Sequence, residues 1–383
     1  MRLRMPQKTV AVLGATGYTG ALIVRELKRR HIPLLAAGRN HDKLQRLAAE
    51  VGDLDIIDAD IQDQASLQRL AQRSHAIINT VGPFVEYGEP VVRAAIANGV
   101  HYLDTTGEQP FMKAMLAHDH WAREQNVAVV SAHAFEIAVS DCAAAIAAEG
   151  FTEISTVHVT YATWFHPSQG TQRTVLRMLQ SAGYAYIGGK WVEEPPARLV
   201  RYADFPPPLG RVAAVSFPGA EVITIPRHLK VREVRVFMSV PALAARLLST
   251  TAPCLRLLLH TPLLRLAAAA IGTGTGGPDE ATRRRDEFRI AVDVRGVRGG
   301  AANHRRLLVH GRDPYGVTAV IAAHGAEQMC RDDYAAAGVL PPAAAFAPRP
   351  LLDHLKEFGL TYDIREGLRR PNARGSQKGA AEA

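Results

Sequence analysis

VLGATGYTGALIVRELKRR occupies residues 12–30, and LLAAGRN follows at 34–40. Gly14, Gly17 and Gly20 come directly after a short apolar run and open a stretch with helical apolar spacing. That order reads as a strand, a turn and a helix built to hold a phosphate. Gly14 permits the tight exit from the strand. Gly17 lets a pyrophosphate approach backbone that carries no Cβ, and Gly20 lets the helix pack closely on the sheet. The helix start then points free N–H groups and its positive dipole end at the anion. Thr16, Tyr18 and Thr19 complete the same cradle, whose spacing is GxxGxxG.

Working outward, apolar β-branched runs recur at 9–13, 34–37, 54–57, 76–80, 100–103 and 127–131, with helical patterns at about 19–30, 42–51, 66–73, 89–98 and 110–126. Six strands separated by helices imply a parallel sheet covered on both faces, because parallel neighbours need crossover connections. The expectation is an α/β chain, with a Rossmann-type doubly wound parallel sheet over residues 1–150. Ser66 suits a helix cap, Gly99 a helix stop and Pro110 a first turn, and Ser140 reads as the cap of a helix ending at Gly150.

From 151 the rhythm changes. Residues 156–165 and 306–311 look like strands, as do segments near 220–225, 231–240 and 288–295, which implies a second, α+β substrate domain over 151–330. Residues 331–371 form a C-terminal segment with a short helix at 350–360, expected to pack back on the first domain. The tail 372–383 reads as disordered.

The second strand indicates which nucleotide is held. An NAD site normally places an acid about 20 residues after the glycine turn, to hold the ribose 2′-hydroxyl. Here Gly38-Arg39-Asn40 stands in that place, with Lys43 one helical turn later. An acid would repel the 2′-phosphate of NADP(H), whereas Arg39 pairs with it. One charge-assisted hydrogen bond contributes roughly 1.5–3 kcal/mol, which is about a 10- to 100-fold preference. Asp58 and Asp60 end the third strand, where Asp60 can meet the adenine, although plain turn chemistry fits both equally. Gly82 and Pro83, in NTVGPF at 79–84, bring backbone towards the nicotinamide half.

Composition removes several other classes. A 47% hydrophobic, 21% charged chain of 383 residues is ordinary for a globular protein long enough for two domains. Cys142, Cys254 and Cys330 lie far apart, which excludes a disulfide scaffold or a zinc ribbon and suits a reducing cytoplasm. No metal-ligand spacing appears. The net charge of +8 comes from 37 arginines and 8 lysines scattered along the chain, and RRRDEFR at 283–289 is interleaved with acids. No basic-and-aromatic alternation marks a nucleic-acid platform. The basic start runs into only five apolar residues, unlike a secretory signal. The greasy region 241–272 is interrupted by Arg246, Pro253, Arg256, His260, Pro262 and Arg265, short of the ~18 apolar residues of a bilayer-spanning helix. It reads as broken helices packed in the protein, with a lining for a lipid-like substrate or a peripheral membrane contact as the alternatives.

In order along the chain stand GATGYTG, AGRN, VGPFVEYGEPVV, GVHYLDTTGE and SDCAAA, followed by PGAEVITIPRH (218–228), GRDPYGVTA (311–319) and AGVLPPAAAFAP (337–348). In these the chain resembles the saccharopine dehydrogenase-like oxidoreductases, a group that includes the trans-acting enoyl reductases. The resemblance covers most of residues 9–360 and implies an NADP(H)-dependent oxidoreductase. Two departures stand out. Many relatives carry Gly-Phe-Asp where this chain has Ala134-Phe135-Glu136, and a Ser-Arg-Gly-Thr run appears here as Ser168-Gln169-Gly170-Thr171. If the missing arginine normally meets an anionic substrate group, its loss implies a different acceptor.

The protein part of such chemistry is orientation and a proton. Tyr87, Asp104 and Glu108 fall at the carboxyl ends of strands four and five and are the candidate catalytic residues, with Tyr87 as a proton or hydrogen-bond donor. His101 and Tyr102 read as strand packing, and His133 as a weaker candidate. A competing reading, the Tyr-x-x-x-Lys pair of short-chain dehydrogenases at Tyr186 and Lys190, places two glycines inside the required helix, at about 1 kcal/mol each. The apolar stretches favour a bulky, acyl-type small-molecule substrate, with enoyl reduction first and imine or ketone reduction next. A non-catalytic NADP(H)-binding redox sensor is the alternative from another class, and a homo-oligomer is compatible with either. Replacing Arg39 by Asp is expected to reverse the NADPH-over-NADH preference in a calorimetric titration. Unchanged selectivity would remove Arg39 from the site.

Overall fold

The structure, a computed structural model, describes residues 8–180, 183–248 and 276–367. β1 (Val10–Leu13), β2 (Leu34–Gly38), β3 (Asp55–Asp58), β4 (Ala76–Asn79), β5 (His101–Asp104) and β6 (Ala128–Val130) pair in parallel. Their strict alternation gives the sheet two buried faces: Val10 and Val12 join one apolar cluster, while Ala11 and Leu13 join the other. On the first face pack the helix Tyr18–Arg29, through Ile23, Val24 and Leu27, and the helix Pro314–Met329, through Ala319, Ala322, Ala323 and Ala326. The opposite side of Pro314–Met329 presents Val317, Val320 and Ile321 to the second cluster, so this helix is buried nearly all round.

The second sheet is built from β7 (Phe151–Trp164), β8 (Gly183–Ile187), β9 (Lys190–Glu194), β10 (Val200–Asp204), β11 (Arg211–Ser216), β12 (Val231–Val240), β13 (Glu287–Arg298) and β14 (Ala301–Arg312). Its order is β10-β11-β12-β7-β13-β14, with β8 on β12 and β9 on β8. Only β12 and β7 run parallel; the other pairs are antiparallel. The helix Ile137–Ala147, buried on nearly every side, packs between this sheet and the C-terminal segment. That segment serves both sheets. β15 (Gly338–Leu340) pairs in parallel with β6, and β16 (Thr361–Glu366) pairs with β14.

Several local expectations change. Residues 220–225 hold the helical turn Glu221–Thr224 instead of a strand. All five residues 221–225 are buried, so the segment has no exposed alternate face, and Pro226 offers no ladder N–H. The cap of the third helix (Gln64–Gln72) is Asp63, which accepts from the Ala65 amide at 2.9 Å; Ser66 sits one turn inside and bonds the Asp60 and Asp63 carbonyls. Ser140 likewise lies inside its helix, where its hydroxyl serves a neighbouring carboxylate. The helix expected from 89 begins at Phe84, because Glu108 caps it from another loop. Tyr186 and Lys190 lie on a β-hairpin turned by Gly188 and Gly189, both at positive φ, which removes the helical Tyr-x-x-x-Lys reading. Most of 241–272 and the tail 372–383 lie outside the described residues. Among those described, no helix is long and apolar enough to cross a membrane.

The glycine turn is closed by direct backbone contact. Gly14 has φ +83°, and a Cβ on Gly20 would lie 2.2 Å from the Gly14 carbonyl oxygen. Neither atom belongs to a flexible side chain, so nothing can yield cheaply. Gly20→Ala is expected to cost about 1–3 kcal/mol in chemical unfolding and to weaken NADPH binding in a fluorescence titration. Wild-type behaviour in both would contradict the close approach.

Candidate active site

Because the sheet order is β15-β6-β5-β4-β1-β2-β3, the loops leaving six successive strands stand side by side along one edge. They line a single cavity of about 1500 Å³, whose remaining wall comes from the second sheet and the helices Gln169–Gln180 and Pro314–Met329. A drug-sized ligand site measures roughly 300–1,000 Å³, so the space is larger than one such ligand needs.

At the β1–β3 end, Thr16, Gly17, Tyr18 and Thr19 line the cavity beside Gly14 and Gly20. Gly17 is the N-cap of its helix and supplies no side-chain cap, so the first N–H groups remain available to an anion. Arg39, Asn40 and Lys43 follow on the β2 loop. The Asn40 side chain accepts from the Lys43 amide at 2.9 Å and starts the next helix, leaving the exposed Arg39 guanidinium with no protein partner among the described residues. An anion cradle with an unpaired cation beside it fits the pyrophosphate and 2′-phosphate of NADP(H). Asp60 also lines the cavity, but its Oδ1 accepts from the Gln62 amide at 3.0 Å, while Asp58 pairs with His41 outside. Tyr18 does more than line the turn. Its hydroxyl donates to the Pro278 carbonyl at 2.6 Å and its ring packs edge-on to Tyr315, joining the cradle to the second domain. Burial pushes its phenol up to about 12.

Towards β4–β6 the three candidate catalytic residues separate. Gly82 and Pro83 lie on the wall, and Tyr87, one turn into the helix Phe84–Ala97, presents a hydroxyl with no protein partner among the described residues. Glu108 is also on the wall, but both carboxylate oxygens are engaged: Phe84 N–H donates at 3.1 Å and Val85 N–H at 2.9 Å. It anchors the Gly82-Pro83 turn to the β5 loop. Asp104 is off the wall and fully buried. Its Oδ1 accepts from the Thr106 and Ala132 amides at 3.0 and 2.8 Å, tying the β5 and β6 loops together. Burial pushes this carboxyl up to about 6, against the pull of those two amides. His133 is buried behind the wall against Phe346, and burial lowers it to about 3. His101 caps the Ala128 amide inside the sheet, and Tyr102 accepts from Asn79.

Sequence reasoning missed a group of acids on the wall beyond β6. Glu136, Tyr161 and Glu221 come together there from three elements, with Ser140 behind them. Only Glu136 gave a signal, as the acid that stands where relatives carry Asp; Glu221 lay in a segment read as a strand. The Ser168-Gln169-Gly170-Thr171 run starts the helix Gln169–Gln180: Ser168 Oγ accepts from the Thr171 amide at 3.2 Å, and Tyr315 bonds Ser168 N–H and Thr171 Oγ1.

Residues 10–134 match the family described as the saccharopine dehydrogenase NADP binding domain. Over this part the chain is similar to the saccharopine dehydrogenase-like oxidoreductases, at 33% identity over 154 residues to the human protein of that name, covering 34% of this chain and 35% of that one. It is 31% identical over 252 residues to the lipid droplet localized protein of Caenorhabditis elegans, covering 58% of this chain and 59% of that one. It is 32% identical over 139 residues to the trans-acting enoyl reductase of Mycobacterium ulcerans, covering 34% of this chain and 33% of that one. The chain thus spans less than two thirds of these relatives' lengths. Apo saccharopine dehydrogenase (L-Glu forming) from Saccharomyces cerevisiae shares the fold, with a TM-score of 0.63 over 94% of this chain and all of that one, at 11% identity. Residues 10–134 are thus an NADP(H)-binding domain built on the first sheet, joined to a second, mixed sheet.

Removing the Asp104 carboxylate strands two buried amides, each worth about 1–3 kcal/mol. Asp104→Ala is therefore expected to lower the urea midpoint sharply while the folded fraction still binds NADPH. A protein of normal stability that had lost only turnover would instead make Asp104 catalytic.

Proposed function

We propose that this chain reduces a C=C, C=N or C=O bond of a bulky, partly apolar small molecule at the expense of NADPH, with an enoyl group as the first-choice acceptor. The observation that carries this reading is the continuity of the cavity. One space runs from the glycine turn to a second-domain wall that includes Trp164, Phe165, Met178, Phe217 and Met238. Apolar walls of this kind suit a hydrocarbon substituent and exclude water from the reacting bond. The name of the mycobacterial relative supports the enoyl choice, and the loss of the arginine at Gln169 fits an acceptor without an anionic group at that point.

The cofactor supplies a hydride. Everything else falls to the chain. Gly14, Gly17 and Gly20, with the helix start at Tyr18, hold the pyrophosphate through backbone N–H groups. Arg39 and Lys43 hold the 2′-phosphate, while Thr16, Thr19 and Asn40 border these groups and Asp60 borders the adenine. Gly82 and Pro83, fixed by Glu108, set the backbone against which the nicotinamide half rests. Tyr87 offers its hydroxyl to a substrate oxygen or nitrogen.

The test is NADPH oxidation with a panel of medium-chain enoyl thioesters, long-chain ketones and cyclic imines. Turnover of at least one apolar acceptor is expected, with enoyl thioesters fastest and NADH poorer by about 10-fold or more, the value of one phosphate contact. Tight NADPH binding with no turnover on any of them would favour the redox-sensor reading.

A further inference from the structure

Glu136 enters at the turn between β6 and the helix Ile137–Ala147, and its side chain lines the cavity. No other side chain among those described bonds its carboxyl. Behind it stands Glu221, fully buried and also on the wall. Glu221 Oε1 accepts from Ser140 Oγ at 2.9 Å and from the Tyr161 hydroxyl, which in turn lies 3.1 Å from the Glu136 carbonyl oxygen. Glu221 Oε2 is buried with no hydrogen-bond partner. Two acids, one with an orphaned buried oxygen, thus meet at the end of the cavity that lies beyond the β4 and β5 loops.

The surroundings favour a neutral Glu136. Burial, opposed by a bond from its own backbone N–H and aided by the neighbouring Glu221, brings its carboxyl up to about 7. Burial also raises Glu221, and Asp141 adds to that. The groups facing Glu136 are Glu221, Tyr161 from β7 and Ser140 from its own helix. On the neighbouring loops Glu108 is engaged by amides and Tyr87 is uncharged. Beyond the Phe135–Phe165 ring contact, His166 is bonded to Asp286, and Arg285 lines the wall. Arg39 and Lys43 stand at the far end of the sheet edge.

We infer that Glu136 is the proton donor of this site, set at the cavity wall in front of the Ser140–Glu221–Tyr161 network, and that it protonates the substrate atom next to the one that accepts the hydride. The inference rests on the reductive reading above. One atom of the substrate double bond accepts the hydride. The π pair forms a bond from its neighbour to the Glu136 proton, the O–H bond breaks, and the carboxylate left behind recovers a proton from solvent. A general acid with an ionisation near neutrality is the type best matched to this task at physiological pH.

The first test needs no turnover. Infrared titration of the NADP⁺-loaded protein should show a protonated-carboxyl band that fades as pH rises through about 7. Glu136→Gln should delete it. A band unchanged in Glu136→Gln, or fading only in the ordinary carboxylate range, overturns the inference.

The second test uses NADPH and a trans-2-dodecenoyl thioester, with the ketone and imine members of the same panel alongside. Wild-type kcat/KM should fall above about pH 7, because the acid form is the active one. Glu136→Gln should lose about 100-fold or more in kcat with NADPH affinity retained, and Glu136→Asp should recover part of it. Full activity in Glu136→Gln overturns the donor role alone. No wild-type turnover on any acceptor overturns the reductive reading and this inference with it.

Discussion

The approach of Gly20 to the Gly14 carbonyl is the contact on which the site depends. It leaves no room for a side chain, so the helix start sits directly over the exit of β1. Thr80 reinforces it from β4 by donating to the Leu13 carbonyl at 2.9 Å. With that turn fixed, the loops after β2 and β3 fall on one side and those after β4, β5 and β6 on the other. An extended dinucleotide then has a phosphate end and a redox end before any substrate contact is considered.

Buried polar groups on the redox side divide into those that hold the loops and those that face the cavity. Both Glu108 oxygens and Asp104 Oδ1 accept from backbone amides, and a carboxylate engaged in this way is a fastening, while Asp104 Oδ2 stays buried off the cavity wall without a partner among the described residues. Glu221 Oε2, on the cavity wall, has no hydrogen-bond partner among the described residues, although burial makes an unsatisfied polar atom costly. Cost tolerated at a cavity wall points to a ligand, whereas cost removed by amides points to architecture. All four residues are acids close to the ends of strands or short helices, and only their partners distinguish them.

The second domain is built into the first more deeply than a hinged lid would be. Tyr18 of the glycine turn bonds Pro278, the helix Pro314–Met329 packs on the first sheet, and β15 extends that sheet from the C-terminal segment. The cavity is therefore a property of the whole chain. Its apolar wall belongs to the second domain and its phosphate cradle to the first.

The sequence by itself determined the parallel sheet and the nucleotide turn, and put Arg39 beside that turn, because these follow from local rules. Alternating apolar runs, glycines at fixed offsets and one basic side chain after β2 need no distant partner. Counting strands also put Tyr87, Gly82 and Pro83 beyond the fourth strand, and all three line the cavity. Only the tertiary structure decided which acids are free. Glu108 and Asp104 stand out in the sequence as candidates and Glu136 does not, whereas in the fold amides from residues 84, 85, 106 and 132 engage the first two. Glu221 comes to Glu136 from 85 residues away in the sequence, through Tyr161 of a third element. A carboxyl group's proton affinity is set by its desolvation and its neighbours, and those exist only once the chain has folded.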